Sequence, residues 1–118
     1  IKRRQKYRPF APAILAEHAH DYFEGPMNEY MQYTSIAKHP YESVTHVDGT
    51  ARVQTVYQDN DIHNLLREFE TLTSYPILLN TSFNIKDKTM VLTPKDALET
   101  FDSTDIDVLV IDNFVIFK

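Results

Sequence analysis

Residues 45–56, THVDGTARVQTV, decide how the rest of the chain is read. The stretch opens on a histidine, passes an Asp48-Gly49 turn signal and runs out as an alternating strand. Successive side chains of an extended segment point to opposite faces of a sheet. Thr50, Arg52, Gln54 and Val56 therefore share one face, and Ala51, Val53, Thr55 and Tyr57 the other. Ala51 and Val53 are expected to face inward. The opposite face offers a guanidinium, an amide and a hydroxyl, a set suited to a phosphate or another polar ligand. An ordinary hairpin with an amphipathic strand has the same spacing. Gly49 is one of only two glycines, and a turn is where a residue free to take positive φ is needed.

Downstream, Asn60 or Asp61 can cap a helix whose stripe is Ile62, Leu65, Leu66, Phe69 and Leu72. His63 lies off that stripe and is expected to be exposed. Residues 76–79, PILL, read as a short buried strand that delivers Asn80-Thr81-Ser82-Phe83-Asn84. Loops at strand ends are where sites tend to be built, although a polar turn satisfying its own backbone has the same composition. Asn80-Thr81-Ser82 also fits the N-glycosylation pattern, which without a secretory signal reads as chance. Thr93-Pro94-Lys95-Asp96 is a helix start, with Ala97, Leu98 and Phe101 on the packed side. Residues 107–111 and 114–117 read as a hairpin joined by Asp112-Asn113. Acids at 102, 105 and 107 lack the spacing of a calcium loop.

Upstream, residues 29–37 alternate as a strand, and Pro40 marks a loop over 38–43. Pro12 suits the first position of a helix over 13–23 with Leu15, Ala19, Tyr22 and Phe23 on one side, ended by Gly25-Pro26. His18 and His20, two apart on that helix, diverge and read as surface residues. Residues 2–10, KRRQKYRPF, are expected to be extended, because Pro9 turns Arg8 away from helix. Lys2, Arg4, Lys6 and Arg8 would then share one face. The resulting order of strands and helices describes a mixed α/β fold with a partly antiparallel sheet.

The chain has 118 residues, 42% of them hydrophobic, enough for the core of one domain or a large piece of one. No apolar run reaches the length of a membrane span. The absence of cysteine removes disulfides, thiolate metal sites and cysteine nucleophiles, and fits a cytoplasmic protein. The net charge of −5 is unevenly spread: five of twelve cations lie within residues 2–8, against seventeen acids in the chain. A basic end on an acidic body suggests a local anion site, and argues against a broad nucleic-acid surface. A solvated arm or a polybasic targeting tract remains an alternative reading of the same residues.

Four stretches, KRRQKYRPFAPAIL at 2–15, THVDGTARVQTV at 45–56, PILLNTSFN at 76–84 and TPKDALETF…DIDVLVI at 93–111, resemble the C-terminal domain of the NodU/CmcH family of O-carbamoyltransferases. The resemblance implies that residues 1–118 are a YrdC-like domain, a twisted mixed parallel and antiparallel sheet flanked by helices. It implies an incomplete domain, preceded in the parent by an N-terminal metal-binding acceptor domain. A Lys-x-Arg element and a Ser-x-Asn element line the nucleotide and phosphate site of that group, here Lys2-Arg3-Arg4 and Ser82-Phe83-Asn84. The implied reaction is ATP-dependent activation of carbamoyl phosphate to a carbamoyl adenylate, followed by transfer to a substrate hydroxyl by the N-terminal domain. The fragment alone is then expected to be inactive.

Adenylation is mostly positioning and charge neutralisation at a phosphoryl group in flight. Lys2, Arg4 and Arg52 supply charge for it, and Ser82 and Asn84 neutral hydrogen-bonding groups. Lys2, Arg4, Arg52, Ser82 and Asn84 are the expected phosphate-binding set, and Arg52, Ser82 and Asn84 the expected catalytic residues. Magnesium is expected to arrive held largely by the phosphates, with no metal site in this chain. The competing readings are a nucleotide- or phosphate-binding module without catalysis and a YrdC-like RNA-binding domain.

Overall fold

The computed structural model describes residues 1–5 and 7–118. It contains two compact units, Ile1–Gln5 with Ser82–Lys118, and Lys6–Thr81. Helices and strands mix in both, as the α/β expectation requires.

In the unit Lys6–Thr81 the first sheet has the order β5-β1-β6. Strand β1 (Ala11–Leu15) lies in the middle, parallel to β5 (Gln54–Val56) and antiparallel to β6 (Ile77–Asn80). All five residues of β1 are buried. Ile14 packs on one side with Ala19, Phe23, Ala51 and Val53. Ala13 and Leu15 pack on the other with Val56 and Leu66. A strand covered on both faces reads as a continuous apolar run. The helix expected to start at Pro12 is therefore a strand, because a short apolar run carries no period that tells the two apart. Pro12 is tolerated because the parallel register with β5 begins only at Ala13, leaving the proline at the strand entrance. Helical structure follows later, as a 3-10 turn over Ala16–His18 and a single α-helical turn, α1 (Ala19–Tyr22).

A second sheet, β2-β3-β4, joins Phe23–Glu24, Ser35–Ala37 and Thr50–Ala51 in antiparallel pairs. The alternating stretch 50–56 is thus two strands. It leaves β3 after Ala51 and joins β1 at Gln54, changing sheets across Arg52 and Val53. The inward set is as expected, since Ala51, Val53 and Thr55 are buried, while Tyr57 lies at the surface. The strand expected over 29–37 shrinks to its last three residues. Asn28 takes the preceding segment into a turn, its Oδ1 accepting from the main-chain N–H groups of Tyr30 and Gln32 at 3.1 and 3.2 Å.

Helix α2 (His63–Thr73) forms where its periodicity places it, but its buried face is rotated. Leu66 and His63 are buried, whereas Leu65 and Leu72 are 59% and 83% exposed. His63, expected outside, faces Glu17 at 3.6 Å. Nearby, His18 joins Asp21 and Glu70 at 3.3 and 3.2 Å, and Arg67 reaches Glu17 at 3.3 Å. Contacts to Glu17 and His18 thus line the side of the helix that carries His63, Arg67 and Glu70.

The other unit holds α3 (Pro94–Asp102) and the hairpin of β7 (Val108–Ile111) and β8 (Phe114–Phe117). The expected helix start is a full capping box: Asp96 N–H donates to Thr93 Oγ1, and Thr93 N–H to Asp96 Oδ2. Ala97, Phe101 and Leu109 form the core, with Phe83, Val91, Ile111 and Ile116 against it. Leu98 is the exception on the expected packed side, lying partly exposed. Asp112 takes φ +50 in the two-residue turn.

Candidate functional site

The Ser-x-Asn element is placed by its middle residue. Phe83 packs against the core of Ala97, Phe101 and Leu109, and its carbonyl accepts from Val91 N–H at 2.9 Å. With Phe83 fixed inward, Ser82 and Asn84 present their polar atoms together. Ser82 Oγ donates to Asn84 Oδ1 at 2.6 Å, and Asn84 Nδ2 donates to the Lys88 carbonyl at 2.9 Å.

Lys2 completes the group. Its ammonium donates to the main-chain oxygens of Ser82 and Asn84 at 2.7 and 2.9 Å and to Asn84 Oδ1 at 2.7 Å, and lies 3.2 Å from Ser82 Oγ. Three N–H groups thus face four oxygens. Partial burial lowers the Lys2 pKa from its ordinary value, and the neighbouring charge of Arg4 lowers it further. The cation is fixed in direction and held by neutral acceptors, which charged phosphoryl oxygens can replace with stronger, charge-assisted bonds.

Lys2, Ser82 and Asn84 are therefore brought together. Arg4 belongs to the same unit and is half-buried. Between Lys2 and Arg4 the alternation expected to put Lys2, Arg4, Lys6 and Arg8 on one face is interrupted. Arg3 takes φ +44, which breaks the alternation of an extended segment, and Lys6 lies outside the described residues. Arg3 instead lines a cavity of about 430 Å³ with Lys86, Ser103, Thr104 and Asp105, a second place in this unit where cations and hydroxyls meet.

Arg52 belongs to the unit Lys6–Thr81. It is exposed at the crossing between β4 and β5, and its main chain carries no ladder pairing there. Among the described residues its guanidinium has no hydrogen-bond or ion-pair partner. Gln54, on the same expected face, accepts from Asn80 Nδ2 at 2.6 Å and so ties β5 to the end of β6. Asn80 is thereby a structural member of the polar loop.

One constellation escaped the sequence reading. His46 Nδ1 meets the Thr50 carbonyl at 2.9 Å and Thr50 Oγ1 at 3.1 Å. Thr50 Oγ1 and N–H both donate to Asp48 Oδ1, at 2.7 and 3.0 Å. These bonds hold the Asp48 carboxyl below its ordinary value, the hydroxyl of Thr50 first. The signal was present in the order His-x-Asp-Gly-Thr, where an Asx-type turn closes on the threonine two residues on.

Among the described residues no three His, Asp or Glu side chains are grouped to hold a metal ion. No described helix is long and apolar enough to cross a membrane.

The family model described as carbamoyltransferase C-terminus matches residues 1–118. The chain is 40% identical to nodulation protein NolO of Bradyrhizobium diazoefficiens, over its whole length and 23% of that protein. It is 41% identical to nodulation protein NolNO of Sinorhizobium fredii, over its whole length and 19% of that protein. A Synechocystis protein, sll1178, is 37% identical over the whole chain and 24% of its own length. The chain thus spans about a quarter or less of these relatives.

Proposed function

The chain belongs to the carbamoyltransferase C-terminus family, and from that premise we propose that it is the nucleotide-handling part of an ATP-dependent O-carbamoyltransferase. In this reading carbamoyl phosphate yields its phosphate to water, leaving carbamate. A carbamate oxygen then bonds to the α-phosphorus of ATP, the bond to pyrophosphate breaks, and carbamoyl adenylate results. The N-terminal part of the parent passes the carbamoyl group to a substrate hydroxyl.

The observation that carries the reading is the Lys2 ammonium set over Ser82 and Asn84. A phosphoryl transition state needs oriented positive charge more than a protein nucleophile, and this cluster offers charge without a nucleophile. Its role is to trade part of these neutral oxygens for phosphate oxygens while the remaining contacts to Ser82 and Asn84 keep the ammonium aimed. Arg4 adds charge in the same unit, and Arg52 is proposed as a further phosphate contact whose planar fork can grip two oxygens. Magnesium would come with the nucleotide phosphates. The oxygens of Ser82 and Asn84 already serve an ammonium, so this chain's part is to meet the phosphates. A cytoplasmic setting, with its ATP supply, belongs to the same proposal.

The test is pyrophosphate exchange into ATP by the full-length parent, dependent on carbamoyl phosphate. Lys2→Met is expected to lower it by roughly a hundredfold, the scale of losing one preorganised charge at a phosphoryl group. Arg52→Ala is expected to weaken ATP by about tenfold, with Arg52→Lys recovering only part. Unchanged exchange in Lys2→Met would overturn the assignment. Binding of single-stranded RNA that falls steeply with salt, without ATP binding, would replace it with a polynucleotide reading.

A further inference from the structure

Helix α2 touches its unit with one side and carries its apolar arc on another. Leu66 enters the core, while His63 and Arg67 meet Glu17, and Glu70 meets His18. Those four residues make the contact side. At about 100° per residue, Leu65, Phe69 and Leu72 fall within roughly 60° of one another, about 140° round the helix from that side. Phe69 is half-buried, and Leu65 and Leu72 are exposed. Asn64 and Thr71 stand on the polar remainder. A surface helix ordinarily turns its apolar stripe inward. In α2 most of that stripe stays in water, where the free energy of burying it is not realised.

The size of the arc decides what can cover it. An eleven-residue helix is about 16 Å long and about 10 Å wide, so one side of it offers a contact on the order of a few hundred Å². Separate molecules that form a stable complex bury about 800 Å² each. Pairing of two copies through this arc therefore lacks the area. A partner on the same polypeptide needs far less, because tethering makes association intramolecular, at an effective concentration of about millimolar. The chain spans about a quarter or less of its relatives, and the remainder of such a protein supplies that tethered partner.

We propose that Leu65, Phe69 and Leu72 form a docking surface for an apolar helix of the parent polypeptide outside residues 1–118. Their spacing, i, i+4 and i+7, is that of a stripe read lengthwise by a second helix, whose side chains enter between the two leucines. Such docking belongs to the assembly of the parent and is independent of the adenylation reading.

Thiol labelling of the full-length parent tests it. Residues 1–118 contain no cysteine, so the thiol introduced by Leu65→Cys, Leu72→Cys or Thr71→Cys can be followed through the mass of its own peptide as a maleimide reacts. Each rate is divided by that of the same variant in urea, which removes intrinsic differences in reactivity. Leu65→Cys and Leu72→Cys are expected to react at least about tenfold more slowly than Thr71→Cys, because an apolar cover both blocks access and disfavours the thiolate. The ratio is expected to survive dilution of the parent by about a hundredfold, since a tethered contact does not depend on concentration. Rates at 65 and 72 that match the rate at 71 would overturn the docking surface. Protection that disappears on dilution would make the occupant a second copy and overturn the tethered partner. The two leucine positions are read independently, so if one variant fails to fold the other still decides.

Discussion

Strand β1 and the β7–β8 hairpin are both short apolar strands, yet they are specified in opposite ways. The hairpin is made by its own neighbourhood: Ile111 pairs with Phe114 across two turn residues. Its outward face, Val108, Val110, Val115 and Phe117, remains exposed. In β1, Ala13 pairs with Gln54 on one side and Leu78 on the other, so its partners come from distant parts of the chain. Turn chemistry suffices for the first; only burial on both faces accounts for the second. The difference separates what local sequence encodes from what the assembled core imposes.

Substitution should expose that difference in size. Ile14 is fully buried, and Ile14→Ala should cost about 2–5 kcal/mol in a urea melt. Val110 is 63% exposed, and Val110→Ala should stay within about 0.5 kcal/mol. Comparable losses at the two positions would break the comparison. Gly49 probes the turn that feeds β4. It sits at φ +82 with no heavy atom within 4 Å of an added Cβ. Gly49→Ala should therefore cost only backbone strain, about 1–2 kcal/mol, with Gly49→Asn cheaper. A cost on the scale of Ile14→Ala would mean that the turn, too, is held by tertiary packing.

Thr93→Ala removes the cap of α3 and should cost about 1 kcal/mol, measured by the same melts. The smallest effect is a pH dependence. Hydrogen bonds from the Thr93 hydroxyl and then its main-chain N–H hold Asp96 below its ordinary value of 3.8. As pH falls through that range the unfolded chain takes up the proton first. The contribution is complete above 3.8 and lost as pH passes below the folded value. Melts between neutral and acid pH should show Asp96→Asn with a shallower acid limb than the parent; an unaltered limb would remove Asp96 from the account.

What could be read from sequence followed the same division. The capping box at Thr93, the Asp112-Asn113 hairpin and the Asp48-Gly49 turn depend on neighbours in the chain, and each stands where it was expected. So does the pairing of polar atoms in Ser82 and Asn84, because Phe83 between them is an obvious core residue. Pro12 misled because a proline at a strand entrance and one at a helix start look alike. His63 misled because it is buried off the leucine stripe, beside Glu17 of another element. The junction of Lys2 with Ser82 was suggested by family resemblance and by nothing in the spacing.

The crossing of residues 50–56 from one sheet to the other has a consequence for selection experiments. Ala51 and Val53 are buried, while Arg52 between them is exposed and unladdered. In a library covering every substitution at these three positions, intolerance at 51 and 53 would mix folding with activity. At 52 the two are uncoupled: nearly any side chain can be carried without disturbing either sheet. Depletion of variants at that one codon would then count as a direct tally of what the guanidinium does for the living cell, uncorrected for stability.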